Sequence, residues 1–341
     1  MSALRAPILP GTTPNGALLV VEGLTTEIQR RRGVFPAVDH VSFALQPSEI
    51  LGVVGESGCG KTMTALSITR LLPAAASVTE GRVLLEQRDL MALSDREMRR
   101  VRGRDIAMVF QEPMTSLDPS FTIGYQMIET VTAHGAGSKS EAKARAVEML
   151  ERVGIPRAAS RLDDYPHQFS GGMRQRVMIA TALLLQPKVL IADEPTTALD
   201  VTIQAQILDL LRSLRDELGM SVILITHNLG VVHEIADRVA VMYAGEVVET
   251  GTVASIFADP RHPYTQGLLS SMPDLTPPGD RLPVIVGRVP ELTSLPPACR
   301  FAPRCPNRIA ACDASHPDLE TIDERRELRC YNPKPFAQRP V

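Results

Sequence analysis

The sequence lacks the features of several large classes of protein. No uninterrupted apolar run approaches the ~18 residues that a membrane-spanning helix needs. Residues 1–16 carry three prolines and no apolar core, so we expect no secretory signal and a cytosolic location. Positive charge is not in excess, since 36 Lys and Arg against 39 Asp and Glu give a net charge of −3. This balance disfavours a dedicated nucleic-acid-binding protein.

Cysteine is scarce, and its placement is uneven. Of the 5 cysteines, one is Cys59 and the others fall between Cys299 and Cys330. In a cytosolic protein such a cluster predicts a metal site rather than a set of disulfides. The rest of the composition, 44% hydrophobic and 22% charged over 341 residues, is typical of a globular chain with about two domains.

Short apolar runs separated by amphipathic stretches predict an α/β fold. The runs with the composition of buried parallel strands are Ile50–Val54, Ile106–Phe110, Val189–Ala192, Val222–Thr226 and Val239–Tyr243. Residues 202–218 carry apolar side chains at helical spacing and end before Gly219. The strand pattern is absent between about residues 121 and 169, which predicts a helical insertion. Prolines from Pro273 onwards predict a linker into a small, irregular C-terminal domain.

The strongest motif is a phosphate-binding loop between a strand and a helix. The segment Gly55-Glu56-Ser57-Gly58-Cys59-Gly60-Lys61-Thr62 fits G-x-x-x-x-G-K-S/T at every fixed position. Its glycines let successive backbone N–H groups face phosphate oxygens, and Lys61 reaches the β- and γ-phosphates. The Thr62 hydroxyl is the candidate ligand for Mg²⁺. Cys59 stands at a variable position, where we interpret it as a small filler.

Two acidic residues follow the predicted strand at 189–192. An apolar strand that ends in a carboxylate places an Asp near Mg²⁺ in P-loop enzymes, which here is Asp193. The adjacent Glu194 is the candidate general base that polarises an attacking water. Together with the loop at 55–62, these residues predict nucleotide binding and hydrolysis.

A third motif, Phe169-Ser170-Gly171-Gly172-Met173, lies about one helix before Asp193. With the other two motifs, it resembles the signature of the ATP-binding cassette (ABC) transporter ATPases. The resemblance implies that Ser170, Gly171 and Gly172 contact the γ-phosphate of ATP held by a partner subunit. The N-terminus of a helix, where these residues stand, favours such an anion.

The same resemblance assigns roles to residues outside the three motifs. Gln111 is expected to touch Mg²⁺ and to link the core to the helical insertion, and His227 is expected to be the switch histidine at the γ-phosphate. Asp200, in Ala198-Leu199-Asp200, matches the loop that communicates across the dimer. Phe35 is the aromatic nearest to the expected adenine-stacking position, where it either stacks on the base or simply packs.

Longer motifs resemble the oligopeptide and dipeptide import ATPases, in particular their D type. These motifs are Gln111–Pro119, Tyr165–Met173 and His262–Thr265, and the similarity spans about residues 18–333. It implies an ABC nucleotide-binding domain at 17–265, with a helical subdomain at about 116–176, and a C-terminal domain at 266–341. It also implies a heterodimer with a different ATPase under two membrane permease subunits, and a substrate-binding protein outside. Such a subunit lies peripherally on the cytoplasmic face of the inner membrane.

The terminal cysteines follow the pattern C-x5-C-x6-C-x17-C, with Cys299, Cys305, Cys312 and Cys330. No CxxC pair is present, and the spacing leaves zinc, a 4Fe-4S cluster and unligated structural thiols open. About 40 residues with so little apolar content need a staple to fold, which weighs against unligated thiols. The family resemblance favours the iron–sulfur cluster.

The function predicted from the sequence is ATP hydrolysis that powers peptide uptake. Nothing in the chain is expected to contact cargo, so import of nickel or another small solute by the same machinery is the first alternative. A soluble ABC-type ATPase that acts on nucleic acid or the ribosome is the second. The single cassette and the acidic balance disfavour it.

Overall fold

The computed structural model describes residues 16–31, 33–111, 116–196, 200–272, 283–323 and 326–335. Its strands are β1 Leu19–Arg30, β2 Gly33–Leu45, β3 Ile50–Val54, β4 Ala76–Leu85, β5 Arg88–Asp89, β6 Ile106–Val109, β7 Val189–Asp193, β8 Ser221–Thr226, β9 Arg238–Tyr243, β10 Glu246–Thr252, β11 Glu320–Asp323 and β12 Arg326–Leu328. Its α-helices are α1 Lys61–Thr69, α2 Asp95–Val101, α3 Ile123–Ala133, α4 Lys139–Arg152, α5 Ala158–Arg161, α6 Gly171–Leu183, α7 Val201–Leu218, α8 Leu229–Ile235, α9 Val253–Ala258, α10 Pro263–Ser270 and α11 Ala311–Ala314.

A central sheet with the order β11-β12-β10-β9-β3-β8-β7-β6 carries the fold. The neighbours from β9 to β6 pair in parallel, which confirms the predicted parallel strands within one or two residues. Successive residues of β7 pack on opposite faces of the sheet. Leu190 lies in the hydrophobic core that contains residues of α6 and α7, and Ile191 lies in the core that contains residues of α1 and β1. Both faces are therefore covered, as the continuous apolar runs indicated. Because β3, β8, β7 and β6 are parallel neighbours, the loops after them meet at one edge of the sheet.

Helices occupy the stretch between β6 and β7, as the sequence predicted. Ser138 caps α4 with a capping box, accepting from the Glu141 N–H while the Glu141 carboxylate accepts from the Ser138 N–H. Met127 and Leu150 of α3 and α4 are buried in the same core as α6 and α7. The predicted helix after residue 201 is also confirmed, and Gly219 ends it in the left-handed conformation at φ +63.

An antiparallel sheet of order β2-β1-β4-β5 was not predicted from the sequence. Its strands mix buried, half-exposed and exposed residues and carry charges, so they lack the continuous apolar runs of the central sheet. The sheet packs against α1, where the buried hydroxyls of Thr26 and Ser67 lie 2.6 Å apart. It forms the wall of the fold beside the phosphate-binding loop.

The C-terminal segment packs against the central sheet and extends it. Strands β12 and β11 extend the central sheet beyond β10, with Leu328 paired to Glu249. Phe301 packs against the rings of Tyr243 and Tyr264, with centroids 5.1 and 5.5 Å away. Helix α10 crosses the predicted boundary between residues 265 and 266, and the proline-rich stretch 273–282 lies outside the described residues. The segment is irregular over most of its described length, and its last two strands pair onto the edge of the central sheet.

Candidate nucleotide-binding site

The predicted loop at 55–62 joins β3 to α1, as the motif requires. Gly55 and Gly60 adopt φ +155 and +105, which side chains rarely tolerate. A Cβ on Gly55 would lie 2.2 Å from the Met242 carbonyl oxygen, and one on Gly60 would lie 2.6 Å from that of Ala37. Both glycines are therefore needed for the loop to pack against β2 and the end of β9.

Lys61 is buried at the start of α1. Its ammonium donates to the carbonyl oxygens of Gly55 at 2.8 Å and Glu56 at 3.2 Å. The charge is thus held over the turn of the loop, where phosphate oxygens would replace the carbonyls as acceptors. Cys59, in the same turn, is wholly buried, and burial raises the pKa of its thiol. The reading of Cys59 as a small filler agrees with this position.

Oxygen ligands suitable for Mg²⁺ lie where the loop meets β7. The Thr62 hydroxyl donates to Asp193 Oδ1 at 3.2 Å, although the two residues are 131 positions apart. Burial raises the pKa of Asp193, and the neighbouring charge of Glu194 adds to the effect. A divalent cation at these oxygens would offset both, because it stabilises the ionised carboxylate. A hydroxyl and a carboxylate are the oxygen donors that Mg²⁺ prefers.

Glu194 brings two other predicted residues together. Its Oε2 accepts from Gln111 Nε2 at 3.2 Å and lies 3.3 Å from His227 Nδ1. The residue stands at φ +46, a strained conformation for a non-glycine residue, and its N–H donates to Ile225 of β8. The side chain of His227 is 58% exposed and faces the same edge of the sheet. Glu194 is thus held between the ends of β6 and β8, beside the phosphate-binding loop.

A cavity of about 700 Å³ opens over these groups. Its lining residues are Ile28, Ala37, Gly55, Glu56, Ser57, Gly58, Gly60, Lys61, Thr62, Met63, Gln111, Glu194, His227, Leu268 and Leu292. Phe35 is not among them, although its position on β2 pairs with Ile28, which places both on one face of the antiparallel sheet. Leu268 and Leu292 were missed from the sequence, since nothing near them resembles a nucleotide motif. The role of Phe35 in base stacking stays a prediction.

The signature residues lie apart from this cavity. Ser170 caps α6 and accepts from the Met173 N–H at 3.3 Å, and Ser170 and Gly171 are exposed. Asp200 caps α7 in the same way, accepting from the Ile203 N–H at 2.9 Å. Gly172 packs against Ile203, where an added Cβ would lie 2.8 Å from its Cγ2. The starts of α6 and α7 therefore form one exposed surface, while Ala198 and Leu199 lie outside the described residues.

The terminal cysteines lie close enough for their charges to interact. Burial is the largest cause of the raised pKa of Cys299, Cys305 and Cys330, which reaches about 12 for Cys330, and neighbouring thiolates add to each shift. Backbone N–H groups of residues 301, 307 and 332 act in the opposite direction and lower the pKa of these three thiols. Within the described residues, no group of three or more His, Cys, Asp or Glu side chains has the arrangement to hold a metal ion. The predicted metal site therefore gains no direct support from these residues.

The fold and the site define a P-loop ATPase. A phosphate-binding loop after β3, Glu194 after β7 and His227 after β8 line one cavity at the carboxyl edge of a parallel sheet, and Asp193 at the end of β7 contacts Thr62 of that lining. Within the described part of the chain, no helix combines the length and apolar character needed to cross a bilayer.

Comparisons with known proteins narrow this class. Residues 38–197 match the ABC transporter family, and residues 248–312 match the oligopeptide/dipeptide transporter C-terminal region. The dipeptide transport ATP-binding protein DppD of Bacillus subtilis is 51% identical over 315 residues, covering 92% of this chain and 94% of DppD. The oligopeptide transport ATP-binding protein AppD of the same organism is 50% identical over 315 residues, covering 92% of this chain and 96% of AppD.

A solved structure shows the same fold. It is a dimeric ATP-binding cassette in a post-hydrolysis state with ADP and phosphate, 29% identical, with a TM-score of 0.62 over 69% of this chain and 98% of that one. The chain thus belongs to the ATP-binding subunits of oligopeptide/dipeptide ABC transporters. It is an ABC-type ATPase.

Proposed function

We propose that this chain binds and hydrolyses ATP to drive the import of peptides across the membrane. The observation that carries the proposal is the contact of Glu194 with both Gln111 and His227 at the mouth of the phosphate-binding loop. The peptide cargo is supported by relatives that are named for dipeptide and oligopeptide transport. No observation favours nickel, another small solute or a nucleic acid over peptides.

The residues divide the chemistry among them. Lys61 and the N–H groups of the loop hold the β- and γ-phosphates, while Thr62 and Asp193 hold Mg²⁺. When bound, the cation neutralises charge that develops on the transferred phosphoryl group. Glu194 accepts a proton from the attacking water, and His227 orients that carboxylate and the γ-phosphate. Gln111 lies at the junction of the core with the helical region, so it is suited to report the state of the site.

We infer that the complete site is shared between two subunits. Ser170, Gly171 and Gly172 lie at the exposed start of α6 and do not line the cavity of their own chain. Their contact with nucleotide therefore requires a second ATPase, and the dimeric solved relative is consistent with this arrangement. The family resemblance favours a different ATPase as that partner, with Asp200 beside the shared interface. We assign residues 17–265 to the nucleotide-binding domain, with the helical subdomain at about 116–176, and 266–341 to the C-terminal domain.

The helical region offers a surface for the two membrane permease subunits. Phe121 and Tyr125 are 43% and 50% exposed, and their rings stack with centroids 4.6 Å apart. This exposed aromatic pair supplies apolar area that a partner could cover, which supports docking at this place. Docking there would place the chain peripherally on the cytoplasmic face of the inner membrane, below permeases that receive peptide from a substrate-binding protein outside. Cysteine crosslinking from position 121 to the permeases tests this contact.

We propose a 4Fe-4S cluster rather than zinc at Cys299, Cys305, Cys312 and Cys330. The support for the cluster comes from the sequence: four cysteines with the spacing C-x5-C-x6-C-x17-C, no CxxC pair of the kind common in zinc sites, and the resemblance to the dipeptide import ATPases. Broad visible absorbance after anaerobic purification is expected; a colourless protein with stoichiometric zinc would reject the cluster.

Reconstitution tests the function as a whole. The chain, its partner ATPase, the two permeases and the substrate-binding protein are placed in proteoliposomes, and ATP-dependent uptake is measured for a peptide panel and for Ni²⁺. We expect uptake of peptides that stops when ATP is omitted. Uptake of Ni²⁺ without any peptide would refute the proposed cargo while leaving the ATPase assignment intact.

A further inference from the structure

Arg304 of the C-terminal segment forms a two-armed ion pair with Glu56 of the phosphate-binding loop. Its Nη1 donates to Glu56 Oε2 at 2.6 Å, and its Nη2 donates to Oε1 at 3.0 Å. The Arg304 side chain is 4% exposed, against 32% for Glu56. Bidentate pairs of this kind are among the strongest hydrogen bonds between side chains. This contact joins residues 248 positions apart in the sequence.

The guanidinium is fixed by its surroundings as well as by Glu56. Its Nε donates to the Val286 carbonyl at 3.0 Å, and its Nη2 also donates to that of Ile285 at 3.3 Å. The rings of Tyr243 and Phe301 lie against it, with centroids 5.7 and 6.0 Å from the guanidinium carbon. Arg304 is therefore positioned by the C-terminal segment, and Glu56 meets a preformed partner.

Glu56 in turn belongs to the wall of the nucleotide cavity. Its backbone N–H donates to the Tyr264 hydroxyl at 2.8 Å, and its carbonyl accepts from Lys61 at 3.2 Å. The loop is thus attached to the C-terminal part of the chain by the backbone and by the side chain of a single residue. Because ATP is a polyanion, a carboxylate at this place opposes its binding unless a cation compensates the charge.

We propose that Arg304 is a positioning residue for ATP binding, which acts by neutralising the Glu56 carboxylate in the phosphate-binding loop. The proposal rests on ATP binding in this cavity, as proposed above. Arg304 lies in the turn Ala302–Arg304, between Cys299 and Cys305. Through this turn the cysteine-bearing segment contributes to a site whose motifs all lie elsewhere in the chain.

The test compares MgATP binding by purified full-length chains with Arg304→Gln, Glu56→Gln or both. Loss of Arg304 leaves the Glu56 charge uncompensated, so the Kd for MgATP is expected to rise about tenfold or more at low salt. The double variant removes that charge and should return the Kd to within about twofold of wild type. Such a rescue would show that the two residues are strongly coupled. Added salt should shrink the defect of Arg304→Gln, because screening weakens the repulsion. In the assembled transporter, KM for ATP should rise while kcat at saturating ATP is kept.

Arg326→Gln provides the matched control. Arg326 is also a buried arginine of the C-terminal segment, paired with Glu249 at 2.6 Å, and it lies outside the cavity lining. This variant should bind MgATP as the wild type does, even if it unfolds more easily. Should Arg304→Gln fold poorly, Arg304→Lys keeps the charge without the planar fork. For Arg304→Lys we expect a smaller rise in the Kd for MgATP than for Arg304→Gln, and adding Glu56→Gln to it should abolish that rise.

Two results would overturn the proposal. One is an unchanged Kd for Arg304→Gln, and the other is a raised Kd that Glu56→Gln does not restore. A wild-type chain that binds no MgATP at all would instead refute the proposed function, so the two failures are distinguishable.

Discussion

Replacing Glu194 by Gln should stop ATP turnover while leaving ATP bound. The change removes the negative charge that would accept the proton of the attacking water. It keeps an amide oxygen that can still accept from Gln111, whose Nε2 lies 3.2 Å from the carboxylate. The proposed phosphate and Mg²⁺ ligands at Lys61, Thr62 and Asp193 are untouched. The variant should therefore retain the nucleotide and lose the chemistry.

The size of the effect follows from the role assigned to the carboxylate. A positioned general base contributes about 10²–10⁴-fold to the rate, which corresponds to about 3 to 5.5 kcal/mol of the barrier. ATP binding should change little. Losing an interaction that is made chiefly in the transition state lowers kcat but does not change the affinity for the ground state. The expected outcome is a kcat below about one hundredth of wild type with bound ATP that survives gel filtration.

The assay is phosphate release by the assembled transporter in proteoliposomes, followed by analysis of the retained nucleotide. Glu217→Gln is the matched control, since Glu217 is an exposed residue near the end of α7. It should hydrolyse ATP at the wild-type rate. Near-normal turnover by Glu194→Gln in the complex, or retention of ADP instead of ATP, would refute the assignment of Glu194 as the base.

Other changes should separate the loop, the metal ligand and a buried histidine. Gly55→Ala should cost more than about 2 kcal/mol in urea unfolding, since its Cβ would meet a carbonyl oxygen at 2.2 Å, whereas Gly219→Ala, in open space, should cost about 1 kcal/mol. Equal costs would contradict the packing argument. Thr62→Val should raise the Mg²⁺ concentration for half-maximal ATPase activity by about tenfold, and an unchanged requirement would remove Thr62 from the ligands. Burial lowers the pKa of His262 from 6.5 to about 3, so the unfolded chain takes up a proton that the folded chain refuses, and stability falls as the pH drops from about 6.5 towards 3. His262→Asn, which retains a cap for α10, should reduce the stability lost between pH 7 and pH 5 by about 2 kcal/mol, and unfolding profiles identical to wild type would contradict this.

The central strands and the phosphate-binding loop could be predicted because their constraints are local. Strands β3 and β7 are buried at every residue, and their sequences carry no polar side chain except Asp193 at the end of β7. The loop needs glycine where φ is positive and where another backbone segment approaches it closely. These requirements all fall within eight consecutive residues, so the motif can be recognised from the sequence. Asp193 and Glu194 could be proposed from the sequence for the same reason, since they come directly after the apolar run at 189–192.

What could not be predicted depends on contacts between distant parts of the chain. Strand β12 has only three residues, and its place beside β10 is set by pairing that leaves no periodic pattern. Leu292 reaches the nucleotide cavity from an irregular stretch, and Arg304 meets the loop from 248 positions away. The motif at 262–265 resembles the peptide import ATPases, but the contact it makes, in which the Glu56 N–H donates to the Tyr264 hydroxyl, is visible only in the structure.

The extension of the sheet by β12 and β11 bears on how the chain can be shortened. Removing the C-terminal strands would leave β10 as an open edge, and unpaired edges template association between molecules. The same truncation would remove Arg326, which pairs with the fully buried carboxylate of Glu249. Among the described contacts, the Glu249 oxygens would then accept only from the backbone N–H groups of residues 261 and 262. A truncated chain would therefore have both an exposed, unpaired strand edge and a buried carboxylate without its arginine partner. We expect it to precipitate rather than to behave as a minimal ATPase.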